Sequence, residues 1–470
     1  YLGQARAIAE GRSGESNYIY NPALPYLAPS SYPMGYPMML ALVYKWVGLD
    51  TLAFARFNTF TWWLTGVMLF FFLRREFFTL PALVTSIFFL FAPEFFASKN
   101  LVLPDTMFAT WVLAAVYWYN YRDRGRYANA LWCGLLTGLA WITRANGVIL
   151  LLAFGLDTLL HYLYNVWKHR NWKPDVRQWS FLAILVGAAL AVQGVVHGIL
   201  FPLPESGGYF NQLQTEYFVK QNITLNINTI VIQLLNYYQL EPTMFIYRIK
   251  NDDVLVRLGG AMIIGLVFLG VFRPSGTAGR FNLLLLALFL GVLAFWPMAQ
   301  HIRYLLPVVC LLAYFLLRGL TNVDLRSAWS NGLKWAAIPL MLVGAYGHID
   351  HAVHDALRKA DDGAPEHWVN SEAFRFVKEN TPPTARIAAY HPLITGLYAD
   401  RKCMRWRYTW DSKEIWEEFM RFEVDYLLYN SQLGASDTSL HQLIRERPGA
   451  IREVWQNSRN ILYEIKRDNQ

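Results

Sequence analysis

Apolar stretches long enough to cross a bilayer recur along the whole chain, and the short loops between them are basic only at every second turn. The stretches read as Leu52–Leu73, Leu80–Phe96, Met107–Tyr121, Ala128–Ile142, Val148–Val166, Phe181–Phe201, Val254–Phe272, Phe281–Met298, Leu305–Leu317 and Trp335–Gly347, about ten in all. Lys and Arg collect at Arg74-Arg75, Arg122 to Arg126, Lys168 to Arg177, Arg273 to Arg280 and Arg318 to Lys334. All five positions fall on one side if every stretch crosses. Basic loops stay on the cytoplasmic side of a membrane. The outer side then holds the residues before about 51, Ser98–Pro104, Thr143–Asn146, Pro202–Asp253, Gln300–Arg303 and everything after about 348.

Composition agrees: 54% of residues are hydrophobic and 16% charged, against roughly 25% charged in soluble domains. The net charge of +8 sits in inter-helix loops and is no footprint for nucleic acid. Cys133, Cys310 and Cys403 have no metal-ligand spacing.

The fold expected is a polytopic α-helical membrane protein with a C-terminal soluble α/β domain. Residues 1–51 form an outer first loop, 52–350 the transmembrane domain with a long outer loop at 202–253, and 364–470 the soluble domain. Leu2–Glu10 reads as a helix ending at Gly11. Pro33–Gly48 would break the charge phase as a span, so it reads as an interfacial helix with Tyr36, Tyr44 and Trp46 at headgroup depth. The loop Pro202–Asp253 is long enough to suggest a binding element or lid, and Asn222-Ile223-Thr224 within it matches a glycosylation sequon. In the soluble domain, helices are expected at Glu372–Glu379, Glu414–Phe422 and Ser439–Arg445. Strands are expected at Ala385–Tyr390, Val424–Tyr429, Ile451–Gln456 and Ile461–Ile465. It has no Gly-rich phosphate loop, so no nucleotide cofactor is expected.

Charged and titratable residues within or beside the spans gather at their outer ends: Lys99, Asp105, Arg144, His301 and Arg303, with Tyr32, Tyr36 and Tyr304 nearby. Ionisable groups at membrane depth are functional candidates. Asp105 opens a helix after Pro104. It is either an acid favoured by the helix dipole or one that binds a metal or positions a hydroxyl. Lys99 reads first as a snorkelling anchor and second as a ligand contact. Outer arginines run against the charge bias. Arg144 and Arg303 therefore suggest an anion at headgroup depth, and a lipid phosphate suits the guanidinium fork.

Several pieces, in their order, resemble the C-type (GT-C fold) glycosyltransferases, in particular the superfamily of dolichyl-phosphate-mannose protein mannosyltransferases and bacterial aminoarabinose transferases. They are Tyr1-Leu-Gly-Gln-Ala-Arg-Ala-Ile-Ala-Glu-Gly, Tyr32-Pro-Met-Gly-Tyr-Pro-Met-Met-Leu-Ala-Leu, Leu103-Pro-Asp-Thr-Met-Phe, Thr143-Arg and His301-Ile-Arg-Tyr-Leu-Leu-Pro, followed by the soluble domain. The resemblance implies a membrane enzyme that takes a sugar from a polyprenyl-phosphate donor lipid and passes it to a glycan, lipid or protein acceptor on the outer face. It implies a first transmembrane helix and a main catalytic acid upstream of Tyr1. Asp105 matches a second acidic position that contacts a divalent metal ion or the acceptor, and Arg144 and Arg303 match basic positions near the substrate phosphate. A lipid or polysaccharide flippase, or a scaffold acting through the soluble domain, are the rivals. A flippase would show mid-span charges and a repeated half, which this sequence lacks.

Overall fold

The computed structural model describes residues 1–12, 16–22, 24, 32–92, 95–96, 99, 102–123, 126–170, 172–201, 264–273, 276–294, 302–322, 372–407, 410–431 and 437–467. His301, the loop 202–253 with its sequon, and the expected span 335–347 lie outside these residues.

Every expected span that falls among the described residues, wholly or in part, contains a helix. In chain order these helices are Thr51–Arg74, Thr79–Leu90, Asp105–Tyr121, Tyr127–Thr143, Val148–His169, Val176–Gln193, residues 264–272, Gly276–Ala294 and Leu306–Asn322. Asp50 caps the first of them by accepting bonds from the Leu52 and Ala53 amides. Ala145–His169, Val176–Leu200 and Gly276–Ala294 are long and apolar enough by themselves to cross a membrane. The expected span Leu80–Phe96 is shorter: its helix stops at Leu90. Ala92 precedes Pro93, and a residue before proline is driven out of helical conformation.

Two sets of contacts fix which helix ends lie together. Glu76 accepts hydrogen bonds from the hydroxyls of Tyr121 at 2.7 Å and Tyr314 at 2.9 Å, and it pairs with Arg318. Asn120 donates to Asn282 at 3.0 Å. These bonds gather the basic ends of four helices. At the other end, Arg144 meets Asp105 and Tyr304. The two sets of contacts thus lie at opposite ends of the helix Asp105–Tyr121. Phe88, Phe89, Phe108, Tyr119, Phe154, Phe281 and Tyr314 fill the interior between these ends.

Before the bundle, Leu2–Ala9 and Gly35–Val47 are helical, ending near Gly11 (φ +75°) and Gly48 (φ +70°), where only glycine turns the chain without strain. Trp46 is 88% exposed, and Tyr36 is fully buried within the protein. Its hydroxyl finds a partner inside, on Asn58 at 3.2 Å.

The C-terminal unit is a five-stranded sheet of order β2-β1-β3-β5-β4, with β1 Arg386–Ala389, β2 Lys402–Met404, β3 Tyr426–Asn430, β4 Ile451–Gln456 and β5 Asn460–Ile465. β2, β1 and β3 are parallel; β5 runs antiparallel to β3 and β4 antiparallel to β5. Helices Glu372–Asn380, Ser412–Arg421 and Thr438–Glu446 match expectation within a few residues. Helix Pro392–Tyr398 and strand β2 were missed, each being too short to show a period. The N-terminal segment adds a bridge to the sheet. Ile19 N donates to Cys403 O at 2.8 Å and Cys403 N to Asn17 O at 2.7 Å, so residues 17–19 run beside the β2 edge. Arg6 adds bonds to Leu397 O at 2.9 Å and Asp400 at 2.7 Å.

Candidate active site

Asp105 is the first residue of its helix, following Pro104, and is 1% exposed. The unpaired amides of a helix N-terminus favour a negative charge there. The second source of compensation is Arg144, whose Nη1 lies 2.5 Å from Asp105 Oδ1. Arg144 sits just past the end of Tyr127–Thr143 in extended conformation (φ −147°, ψ 138°), which turns its side chain away from the helix path. Its guanidinium also lies 4.4 Å from the centroid of the Tyr304 ring. Three separate stretches of chain thus meet at one buried ion pair.

Tyr36 joins this group from the interfacial helix. Burial, and after it the Asp105 charge, push its phenol well above the ordinary range. Its ring packs edge-on against Tyr1 at 5.4 Å, and Tyr1 packs on Tyr32 at 4.2 Å. Gly35 lets this helix approach the end of Tyr127–Thr143: a Cβ there would lie 2.8 Å from Ile142.

Of the residues expected in the site, the structure brings Asp105, Arg144, Tyr304 and Tyr36 together, with Tyr32 behind them. Lys99 contributes differently. Its ammonium lies 4.2 Å from the Phe96 ring centroid, while its backbone carbonyl accepts from Asn58. Arg303 falls in the short 3-10 turn Ile302–Leu305, but its side chain, like all of His301, lies outside the described residues. Arg144, expected to bind an anion, pairs here with Asp105. Among the described residues no group of three His, Cys, Asp or Glu side chains gathers to hold a metal. The charged partner of Asp105 among these residues is the Arg144 guanidinium, not a second carboxylate.

Sequence reading missed Asn58 and the threonines around it. Asn58 is buried seven residues into Thr51–Arg74. Its Oδ1 accepts from Tyr36 at 3.2 Å and from Thr106 at 3.4 Å, and its Nδ2 donates to Lys99 O at 3.3 Å. Thr61 and Thr106 share a bond at 2.7 Å, and Thr65 and Thr110 one at 2.8 Å. The signal was present as polar residues at 58, 61 and 65 along one helix face within an apolar span.

Residues 31–201 match the model of the Dolichyl-phosphate-mannose-protein mannosyltransferase family, a stretch that includes Asp105, Arg144, Tyr36 and Asn58. Among solved structures, the chain is similar to ArnT from Cupriavidus metallidurans bound to undecaprenyl phosphate. The TM-score is 0.59 with 11% identity, over 98% of this chain and 92% of that one. It is also similar to the archaeal oligosaccharyltransferase AglB from Archaeoglobus fulgidus, solved with an inhibitory peptide and a dolichol-phosphate. There the TM-score is 0.55 with 11% identity, over 92% of this chain and 65% of that one. No curated protein sequence matches the chain. The resemblance carried by the sequence motifs thus recurs in the family match and in the fold, which is that of the GT-C membrane glycosyltransferases.

Proposed function

We propose that this chain is an integral membrane glycosyltransferase that moves a sugar from a polyprenyl-phosphate donor to an acceptor hydroxyl on the extracytoplasmic face, with inversion at the anomeric carbon. The observation that carries the reading is the buried Asp105–Arg144 pair at the end of the bundle away from the basic loops, in a fold shared with proteins solved with lipid phosphates bound. The acceptor oxygen forms a bond to the anomeric carbon as the bond from that carbon to the phosphate oxygen breaks. The acceptor proton passes to a carboxylate base, and the lipid phosphate leaves with added negative charge. Arg144 carries a planar fork of guanidinium N–H donors, the geometry that suits a phosphate. It therefore stabilises the leaving phosphate, while Asp105 and the Tyr304 ring hold its plane. Asp105 acts here as a positioning residue, and no step passes through a metal ion. A glycan, lipid or protein supplies the hydroxyl.

The test is turnover by purified protein in liposomes with a panel of undecaprenyl- and dolichyl-phosphate-linked pentoses and hexoses. Release of polyprenyl phosphate and the sugar-bearing product are read by mass spectrometry. One donor is expected to be consumed, and Arg144→Ala to slow it by about 100-fold or more, the scale on which removing one transition-state donor acts. Undiminished turnover in Arg144→Ala removes the pair from the site. Lipid movement across the vesicle with no sugar transferred replaces the enzyme with a flippase.

A further inference from the structure

We infer that Asn58 is a positioning residue for the candidate site, the side chain that ties the Asp105 helix start, the interfacial helix and the Lys99 backbone into one register. The inference rests on the proposed transferase reading for its catalytic consequence, but not for its structural one.

Asn58 is 0% exposed, within an apolar span. An amide buried there without partners would cost several kcal/mol, so its bonds decide its orientation. Each bond leads to a different stretch of chain. Tyr36 O–H comes from the helix Gly35–Val47, Thr106 O–H from the residue after Asp105, and the accepting carbonyl from Lys99. Thr61, one turn on, adds a bond to Thr106 at 2.7 Å and donates to Asn58 O at 2.8 Å. The amide is thus the meeting point of the segments that carry Tyr36, Lys99 and Asp105. Asn58 acts on the ion pair through Thr106, which follows Asp105, and through Tyr36. Apolar packing sets no register between the helix opened by Asp105 and Thr51–Arg74; Asn58 fixes it together with the Thr61–Thr106 and Thr65–Thr110 bonds. A directional polar contact in an apolar interface selects one register.

The test compares Asn58→Leu, which keeps the shape and removes both polar ends, with Tyr36→Phe and Thr106→Val, which each delete one hydroxyl bound to the Asn58 oxygen. Should Asn58→Leu fail to fold, the other two carry the same test. Hydrogen exchange of the purified protein in detergent is the activity-independent readout. Peptides spanning 32–47 and 102–110 are expected to exchange faster by about tenfold or more, while those spanning 148–169 keep their wild-type rate. Uniform change along the chain, or no change in the two peptide groups, overturns the inference. In the transfer assay, kcat is expected to fall by about tenfold or more with the donor KM within about threefold, the pattern of a misplaced rather than a missing contact. Wild-type kcat in all three variants overturns it. If the wild-type protein transfers no sugar at all, the proposed function fails, and the exchange pattern alone decides the role of Asn58.

Discussion

A charge with 1% exposure survives only when it is matched, and Asp105 is matched by Arg144 at 2.5 Å, at a helix start whose dipole favours an acid. Removing one member leaves the other uncompensated. Arg144→Ala should therefore cost about 3 kcal/mol of stability, as for other broken buried pairs, and thermal unfolding in detergent reads this directly. Asp105→Asn frees a guanidinium donor but loses the clamp that aims it, so transfer should fall with little gain in donor affinity. Arg144→Lys keeps the charge without the fork or the flat contact on Tyr304, and should recover stability better than turnover. Because the cation beside Asp105 is a side chain, turnover after EDTA treatment should match the untreated protein; loss on chelation, with recovery on adding Mg2+ or Mn2+, would sink that reading.

Helices in an apolar solvent need close contact, since apolar burial between them gains little over lipid. Gly270 and Gly319 provide it where residues 264–272 cross Leu306–Asn322. A Cβ on Gly319 would lie 1.8 Å from Leu266 O, and one on Gly270 1.9 Å from Phe315 O. Gly319→Ala must push the two helices apart and should destabilise by about 1–3 kcal/mol, the usual cost of overpacking. Gly187 in Val176–Gln193 has nothing within 4 Å of the same position. Gly187→Ala should instead stabilise by about 0.5–1 kcal/mol through helix propensity. Opposite shifts in unfolding temperature separate the two.

At the scale of the molecule, the outer segment is the link between sheet and bundle. It lends residues 17–19 to the β2 edge, while its first helix packs on the one that carries Tyr36. Arg6 stands at the junction, bonded to Glu10 at 2.8 Å as well as to Asp400. Burial alone would raise the Glu10 carboxyl, but the bonds from Arg6 and Arg12 outweigh it and hold the group below its ordinary value near 4.5. A carboxylate depressed by folding stabilises fully above that ordinary value and loses its contribution as pH falls through the folded value. The junction should hold at neutral pH and loosen below about pH 4.5, with Arg6→Ala loosening it at every pH. Hydrogen exchange in residues 1–20 is the readout; pH-independent exchange there would sink the idea. Lys413, largely exposed on the sheet domain, and Lys173 in a basic loop test the orientation. The three native cysteines are all buried. An impermeant thiol reagent on intact cells should label Lys413→Cys, and Lys173→Cys only after permeabilisation.

What the sequence determined by itself is what lipid and charge dictate locally. Apolar length and alternating basic loops give the helices and their shared ends, because backbone polar groups in a bilayer must be satisfied within the helix and loop charge selects its side. Period and turn residues give most of the C-terminal sheet, since each strand long enough to repeat carries its own signal. Asp105 and Arg144 were visible as charges out of place. Their pairing was not, since the 39 positions between them carry no mark of contact. Nor was the burial of Tyr36, the seat of Asn58, or the strand-like docking of residues 17–19 on β2. Each depends on which distant groups come within hydrogen-bond reach, and only the tertiary packing of the helices sets that distance.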